Sequence, residues 1–310
     1  MWKLSLERFI SFIGRKPYFC LYSKPCYMRK LIKLLLLMPC ASVFFISCNE
    51  EGFAPARLLV ANFVVNPPVS PSPLPTAGTA VDVRWGGNLV FNNVVYGAAS
   101  VVVGNPVTTI PAFTSIVGSY ASVKSDALPL NFAIAGSNGQ TVYNRITSFV
   151  PGKSYTAIAF DLNPFYKVMI MEDDLSAPAV GKAKIRFVHA ISPLLLGSLP
   201  KKDTIDVTAT GGPTTTPLVN ASIFPTRNFA DAYTNKNLQQ FALIDSGSYN
   251  IAFRVAGTPG TSPATGLIGF FPSTTTRFRF ESGKIYTIVA RLHITATAAP
   301  TPATTFITHN

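Results

Sequence analysis

The sequence predicts an all-β protein in which a sandwich-type domain has been duplicated in tandem, and three observations carry that reading. Past residue 55, short runs rich in Val, Ile, Thr, Phe and Tyr alternate with clusters of Gly, Pro, Asn and Ser, and no stretch sustains a capped helical apolar period. Four sequence blocks recur in the same order in the two halves. Each copy needs about 115 residues, an ordinary size for a sandwich domain.

Composition bounds the alternatives. The chain has 310 residues, a formal charge of +12, 48% hydrophobic residues and 13% charged ones, which is too apolar for wholesale disorder. Residues 1–47 hold eight Lys/Arg against Glu7, so the remaining 263 residues carry a net charge of only +5. A nucleic-acid binder clusters its basic residues on the folded part, and that pattern is missing, so no nucleic-acid partner is expected. The cysteines are Cys20, Cys26, Cys40 and Cys48, with none afterwards. A disulfide framework, a cysteine zinc site and a cysteine nucleophile are therefore excluded from the folded region.

The N-terminal segment reads as an export signal. From Met28 the chain runs Met-Arg-Lys-Leu-Ile-Lys, then an apolar stretch over 34–46, then Ser47-Cys48. The apolar stretch is too short to span a bilayer comfortably, which favours a signal peptide over a membrane helix. Phe45-Ile46-Ser47-Cys48 resembles the lipobox of bacterial lipoproteins, in which the cysteine is lipidated and becomes the mature N-terminus. The alternative is an ordinary secretory signal in which Cys48 is incidental. Residues 1–27 do not fit such a signal, and the expectation is that translation starts at Met28. Asn49-Glu50-Glu51 resembles the acidic export signal of Bacteroidetes-type surface lipoproteins; the alternative is a solvated tether. The expected location is lipid-anchored at the outer membrane and exposed at the cell surface.

The repeated blocks place the two domains. Ala56-Arg57-Leu58-Leu59-Val60-Ala61-Asn62 matches Ala183-Lys184-Ile185-Arg186-Phe187-Val188-His189, and Ala80-Val81-Asp82-Val83 matches Thr204-Ile205-Asp206-Val207. The segments ending in Ala135-Gly136 and Ala256-Gly257 match, as do Gly152-Lys153-Ser154-Tyr155-Thr156 and Gly283-Lys284-Ile285-Tyr286-Thr287. From the Asp to the Ala-Gly glycine is 54 residues in one half and 51 in the other. The expected layout is a signal segment at 1–47, a lipidated tether at 48–55, repeats at 56–171 and 182–294, and a linker at 172–181. The Thr/Ala/Pro-rich residues 295–310 read as a loosely attached tail.

Strand alternation assigns faces. Ile185, Phe187 and His189 are expected to point into the core, with Lys184 and Arg186 outward. Val81, Val83 and Trp85 share a core face, while Asp82 and Asp206 point outward. Tyr155 and Tyr286 open a strand and are expected to cover a sandwich end. The Pro-rich run 67–75 reads as an edge blunter.

The blocks Lys-Ala-Lys-Ile-Arg-Phe-Val-His-Ala-Ile-Ser-Pro (182–193), Val/Ile-Asp-Val, Gly-Lys-x-Tyr-Thr and Glu-Asp-Asp-Leu-Ser-Ala-Pro (172–178) resemble the domain of unknown function 4397. The resemblance covers nearly all of 56–294. It implies tandem immunoglobulin-like β-sandwich modules in a secreted or lipid-anchored protein, and it brings no activity to carry over.

Catalytic constellations are sparse. The chain has no Gly-x-Ser-x-Gly, His-Glu-x-x-His, P-loop or dinucleotide fingerprint, and its only histidines are His189, His293 and His309. A hydrolytic His189–Asp206 pair conflicts with alternation, and the first copy has Asn62 at the histidine's place, so His189 is expected to hydrogen-bond a loop. Asp82 and Asp206 read either as a shared ligand contact or as strand carboxylates holding a loop. Glu172-Asp173-Asp174 reads either as a calcium-stiffened junction or, preferentially, as a solvated linker. Asp203-Thr204-Ile205 resembles a Bacteroidetes O-glycosylation motif; the alternative is that Thr204 opens a strand. Tyr96, Phe113, Tyr120, Tyr143 and Tyr233 lie outside the shared blocks as candidate ligand contacts. The expectation is therefore a non-catalytic surface interaction module for a glycan, matrix or protein ligand, with no cofactor or metal. The alternatives are an accessory subunit of an envelope complex and, last, a hydrolase.

Overall fold

The computed structural model describes residues 54–65, 80–97, 113–136, 140–162, 167–192, 204–257, 267–271, 277–293 and 301–309. The signal segment, Cys48 and the Pro-rich run lie outside them. The first half forms β1 (Ala56–Val65), β2 (Val81–Trp85), β3 (Asn88–Val94), β4 (Phe113–Gly118), β5 (Ala121–Val123), β6 (Ala127–Ile134), β7 (Thr141–Ser148), β8 (Ser154–Leu162) and β9 (Lys167–Asp173). The second forms β10 (Lys182–His189), β11 (Thr204–Gly212), β12 (Leu218–Ser222), β13 (Arg227–Asn228), β14 (Ala242–Asp245) and β15 (Gly247–Val255). It continues with β16 (Leu267–Phe271), β17 (Phe278–Phe280), β18 (Ile285–His293) and β19 (Thr301–His309). A helical turn, α1 (Asp231–Thr234), and a 3₁₀ turn at Lys236–Gln239 precede β14. The chain is all-β, as its short apolar runs predicted.

Each half contributes two sheets, an outer one and an inner one. The outer sheets run β3-β2-β6-β7 and β12-β11-β15-β16, and the inner ones β5-β1-β8-β9 and β14-β10-β18-β19-β4. The inner sheets repeat each other in register. β1 runs parallel to β8 with Leu58 opposite Tyr155, and β10 runs parallel to β18 with Ile185 opposite Tyr286. Tyr155 and Tyr286 each accept a hydrogen bond from a turn N–H, of Val150 and Glu281, both at 3.1 Å, which pins the ring at the strand entrance.

Three apolar cores result. One lies between the sheets of the first half and holds Leu58, Val60, Val83, Trp85 and Phe132. A second lies in the other half around Ile185, Phe187, Val207, Phe253 and Phe306. The third draws on both halves: Leu59, Ala61, Phe63, Ile158 and Met171 meet Val188, Val289 and Ile307. The inner sheets thus pack back to back, so β1 is buried on both faces and reads as a continuous apolar run rather than an alternating one. Each large apolar side chain buried at that seam contributes about 1.5–3 kcal/mol relative to exposure.

Three expectations are overturned by this packing. Residues 301–309 are not a loose tail: β19 pairs with β18 along nine residues and is the counterpart of β9, with Ala303, Phe306 and Ile307 fully buried. The apolar content hidden among its threonines is what the composition obscured. β4 of the first half then runs parallel to β19, capping the second half's inner sheet. A Cβ on Gly118 would stand 2.1 Å from Leu59, so this close crossing requires the glycine. In return, the second half's turn segment sends Phe229 and Tyr233 onto Phe160 of β8, with ring centroids 6.0 and 6.4 Å apart.

Residues 172–181 are not simply a solvated linker either. Asp173 ends β9 and is buried, and Arg186, expected to face solvent, is fully buried opposite it. The back-to-back inner sheets bury the face that alternation left outside. Asp173 Oδ1 lies 2.8 Å from Arg186 Nη2. Arg186 Nε and Nη2 donate to Thr287 Oγ1 at 3.1 and 2.9 Å, and His309 bridges Thr287 (Nε2, 2.7 Å) to Tyr120 (Nδ1, 2.7 Å). Tyr120 donates to Asp173 Oδ2 at 2.8 Å, closing a ring. Arginine only donates and carboxylate only accepts, which sets the proton direction: Arg186 to Thr287, Thr287 to His309 Nε2, His309 Nδ1–H to Tyr120, Tyr120 to Asp173. Thr156 adds a further bond to Asp173 at 2.6 Å, and Arg186 lies 4.3 Å over the Phe241 ring.

Removing one member of this buried pair strands the other. Asp173→Asn or Arg186→Leu alone is expected to cost about 3–5 kcal/mol, and the two together far less than their sum. Urea unfolding of the four proteins checks this; additive costs would contradict it.

Candidate functional site

The repeat-equivalent polar positions do structural work. Asn62 and His189 hold equivalent places on β1 and β10, and each accepts the N–H two residues on: Val64 to Asn62 Oδ1 at 3.1 Å, Ile191 to His189 Nδ1 at 3.3 Å. Their carbonyls accept equivalent bonds from Gly97 (2.7 Å) and Ala230 (3.0 Å). The Asn62 amide also donates to Val94 O at 2.8 Å. His189 is 1% exposed and sits edge-on to Phe229. Burial, aided by the nearby Arg227 charge, pushes its pKa down to about 3, so the ring is neutral with its proton on Nε2.

Asp82 and Asp206 hold loops. Asp82 accepts Asn93 N–H at 2.8 Å, and Asp206 accepts the Thr226 hydroxyl at 2.5 Å and Gly257 N–H at 2.9 Å. His189 and Asp206 thus serve different partners and form no relay.

The acidic run diverges. Glu172 pairs with Lys153 at 2.9 Å, Asp173 belongs to the buried ring, and Asp174 meets Lys184 at 2.6 Å. Hydrogen bonds from Lys184 and then Ser176 hold the Asp174 carboxyl down to about 2. Three carboxylates with three separate partners do not converge on a cation, and among the described residues no cluster is placed to hold one. Thr204 opens β11 with its hydroxyl on Asn228 Oδ1 at 2.7 Å; Asp203 lies outside the described residues.

Of the candidate aromatics, Tyr96 and Tyr120 are spoken for. Tyr96 is buried across the seam, donating to Leu292 O at 2.6 Å, and burial raises its pKa to about 12. Tyr120 is in the ring. Tyr143 lies half-buried against Phe132, Tyr233 is 36% exposed, and Phe113 opens β4.

An open cleft of about 310 Å³ lies instead in the second half, between edge strand β14 of the inner sheet and edge strand β12 of the outer sheet. Ile185, Leu218, Ile223, Leu243, Ile244 and Tyr249 line it together with Thr216 and Ser222, and most of its exposed lining is polar. Lys182 and Asp245, 2.7 Å apart, stand at its rim. Its size sits at the lower end of ligand pockets, which run to about 300–1,000 Å³.

The duplicate explains the cleft. In the first half β2 turns into β3 through Gly86-Gly87, whereas β11 runs on to Gly212 before the chain returns as β12. Gly211 and Gly212 let that longer strand lie against β15: a Cβ on Gly211 would be 2.2 Å from Ser248 O. The indole of Trp85 donates to Lys124 O at 3.0 Å and packs on Phe149. In the second half Ala209 replaces Trp85, and Tyr249 reaches across from the neighbouring strand to the equivalent carbonyl, Asp245 O, at 2.9 Å, packing on Phe280. None of the cleft residues was read from the sequence as a ligand contact; Ile185 was expected only as core. The longer span between the second copy's Asp-Val strand and its next strand was the available signal.

No family model matches this chain, and no curated protein matches it.

The two buried imidazoles set an acid limit. Burial lowers His309 to about 4, with the Asp173 charge opposing and Arg186 reinforcing. Both folded values lie below the ordinary 6.5, so the native state excludes protons that the unfolded chain binds. Their stabilisation is complete above pH 6.5 and is lost as pH falls through 6.5 toward 4 and 3. His189→Asn restores the residue that works at position 62. It is expected to fold at pH 7 and to lose about 1.4 kcal/mol less per pH unit than wild type below pH 6.5. Chemical denaturation from pH 7 to 4.5 measures this; parallel curves would contradict it.

Proposed function

We propose that this protein is a lipid-anchored cell-envelope protein, built from tandem immunoglobulin-like modules of the domain of unknown function 4397, that acts as a non-catalytic interaction module. The anchor reading rests on the basic-apolar-Ser47-Cys48 pattern, and the surface reading on Asn49-Glu50-Glu51. The carrying observation for binding is the cleft, an open concavity of mixed apolar and polar lining beside an unextended sheet edge.

The lining favours a protein ligand over a glycan. Sugar recognition uses exposed aromatic faces, but the cleft's one aromatic, Tyr249, is 1% exposed and offers no face to stack on. A role as an accessory subunit draws on a second site: Ile146 on edge strand β7 is 76% exposed, the kind of apolar exposure that a stable partner covers.

Cys48→Ala is expected to move the chain from the detergent phase to the aqueous phase on Triton X-114 partition. Protease added to intact cells is expected to remove the second half of the wild-type protein while sparing a periplasmic control. Survival of the signal, with digestion after lysis confirmed, would place the protein on the inner side and favour the accessory-subunit reading.

A further inference from the structure

The free edge of β14 carries main-chain groups whose direction can be worked out. Lys184 N–H donates to Lys284 O at 3.0 Å, and Lys182 O accepts from Gly283 N–H at 2.9 Å, so the main-chain groups of Lys182 and Lys184 face β18. The alternate residues of β10 face β14, as the bond from Ser246 N–H to Gly181 O (2.8 Å) shows at the end of the ladder. In an antiparallel pair the residues opposite Lys184 and Lys182 then turn their N–H and C=O outward. Those residues are Leu243 and Asp245.

The Asp245 carbonyl is indeed taken from that outer side, by the Tyr249 hydroxyl rising from the facing sheet. Leu243 N–H and C=O point the same way, off the sheet and toward the mouth of the cleft, where no described group meets them. The Leu243 side chain is 61% exposed, and Val219 on the opposing edge strand is 75% exposed. Natural edges carry charge, proline or a covering loop to stop strand addition. At Leu243 this edge carries an exposed leucine, and the one charge on the strand, Asp245, is paired with Lys182.

Resting on the interaction-module reading, we propose that the ligand is an extended peptide that adds to β14 as a sixth strand of the second half's inner sheet and roofs the cleft. Main-chain bonds to Leu243 supply the register. Every second peptide side chain then drops between Ile244 on one side and Leu218 and Ile223 on the other, so alternate residues of the peptide are apolar. Lys182 and Asp245 neutralise each other at the rim and Thr216 and Ser222 share the lining, so the cleft selects shape and extended backbone rather than net charge.

The test selects peptides from a displayed library of random short sequences on the full chain and measures the enriched ones by fluorescence anisotropy. Enriched peptides are expected to alternate apolar residues. N-methylation along their backbones is expected to abolish binding at every second position and leave the intervening positions little changed. Leu243→Pro removes the outward N–H without touching the β10 ladder, and is expected to weaken binding roughly tenfold or more, whereas Leu243→Val retains it. If Leu243→Pro misfolds, the N-methyl pattern on the wild type still decides. Failure to enrich any peptide, or enriched peptides that bind with no period-two N-methyl pattern and independently of position 243, would overturn strand addition. Surface exposure by protease shaving is read separately, so such a failure removes the peptide ligand and leaves the module's location and anchor standing.

Discussion

An aspartate and an arginine, one from each half, face each other with no access to water, and the fold is arranged so that neither is left alone. Burying a single charge would cost several kcal/mol, so Asp173 and Arg186 are tolerable only together and only with their remaining hydrogen-bonding groups satisfied. Tyr120, Thr156, Thr287 and His309 do this in a closed ring in which each proton has one place to go. The ring demands that β9, β10, β18 and β19 meet in one register. It also demands a neutral His309, because a proton on Nε2 would point at a threonine oxygen already accepting twice from Arg186.

The duplication makes the origin of this ring readable. Asp173 and His309 occupy the same position in the two halves, each opposite the first residue of the Tyr-Thr strand. Thr156 and Thr287 are equivalent, as are Leu59 and Arg186, and Tyr120 and Phe241. The two halves, packed back to back, therefore carry complementary residues at equivalent positions: acid against imidazole, hydroxyl against bare ring, aliphatic against guanidinium. The other end of the seam shows the same division. Phe160 packs on Phe229 on one side, while Arg291 and Tyr96 take the matching places on the other and hydrogen-bond to Thr305 and to Leu292 O. Specific pairing of unlike halves is what such a buried polar pattern enforces, since a like-with-like arrangement would oppose two aspartates or two arginines.

Much of the fold was legible in period two and in the repeated blocks. Trp85, Val83 and Val207 lie in the cores where alternation put them, and Tyr155 and Tyr286 cap strand entrances as their place after a Gly-Lys turn suggested. What alternation could not reveal is a second buried face. It sorts a strand into inside and outside, and β10 has two insides, so Arg186 was misplaced. Composition failed at residues 301–309 for a related reason: threonine is at home in a strand buried beside hydroxyl partners, as Thr304 and Thr305 are. The cleft was not legible because it comes from a difference between the copies, a strand prolonged past its duplicate and a tryptophan exchanged for alanine with a tyrosine from the next strand.

Function and architecture meet in that asymmetry. The seam joins the inner faces and leaves one sheet edge of the second half, beside the cleft, open for a partner. A rigid double module suits presentation of such an edge, because the strand that carries it belongs to a sheet anchored in two cores, its own half's and the seam. The claim on which this depends is that the two halves fold and unfold as one body. Differential scanning calorimetry of the full chain at pH 7 tests it most directly. The account predicts a single endotherm with calorimetric and van't Hoff enthalpies in agreement. Two separable transitions, one for each half, would contradict it.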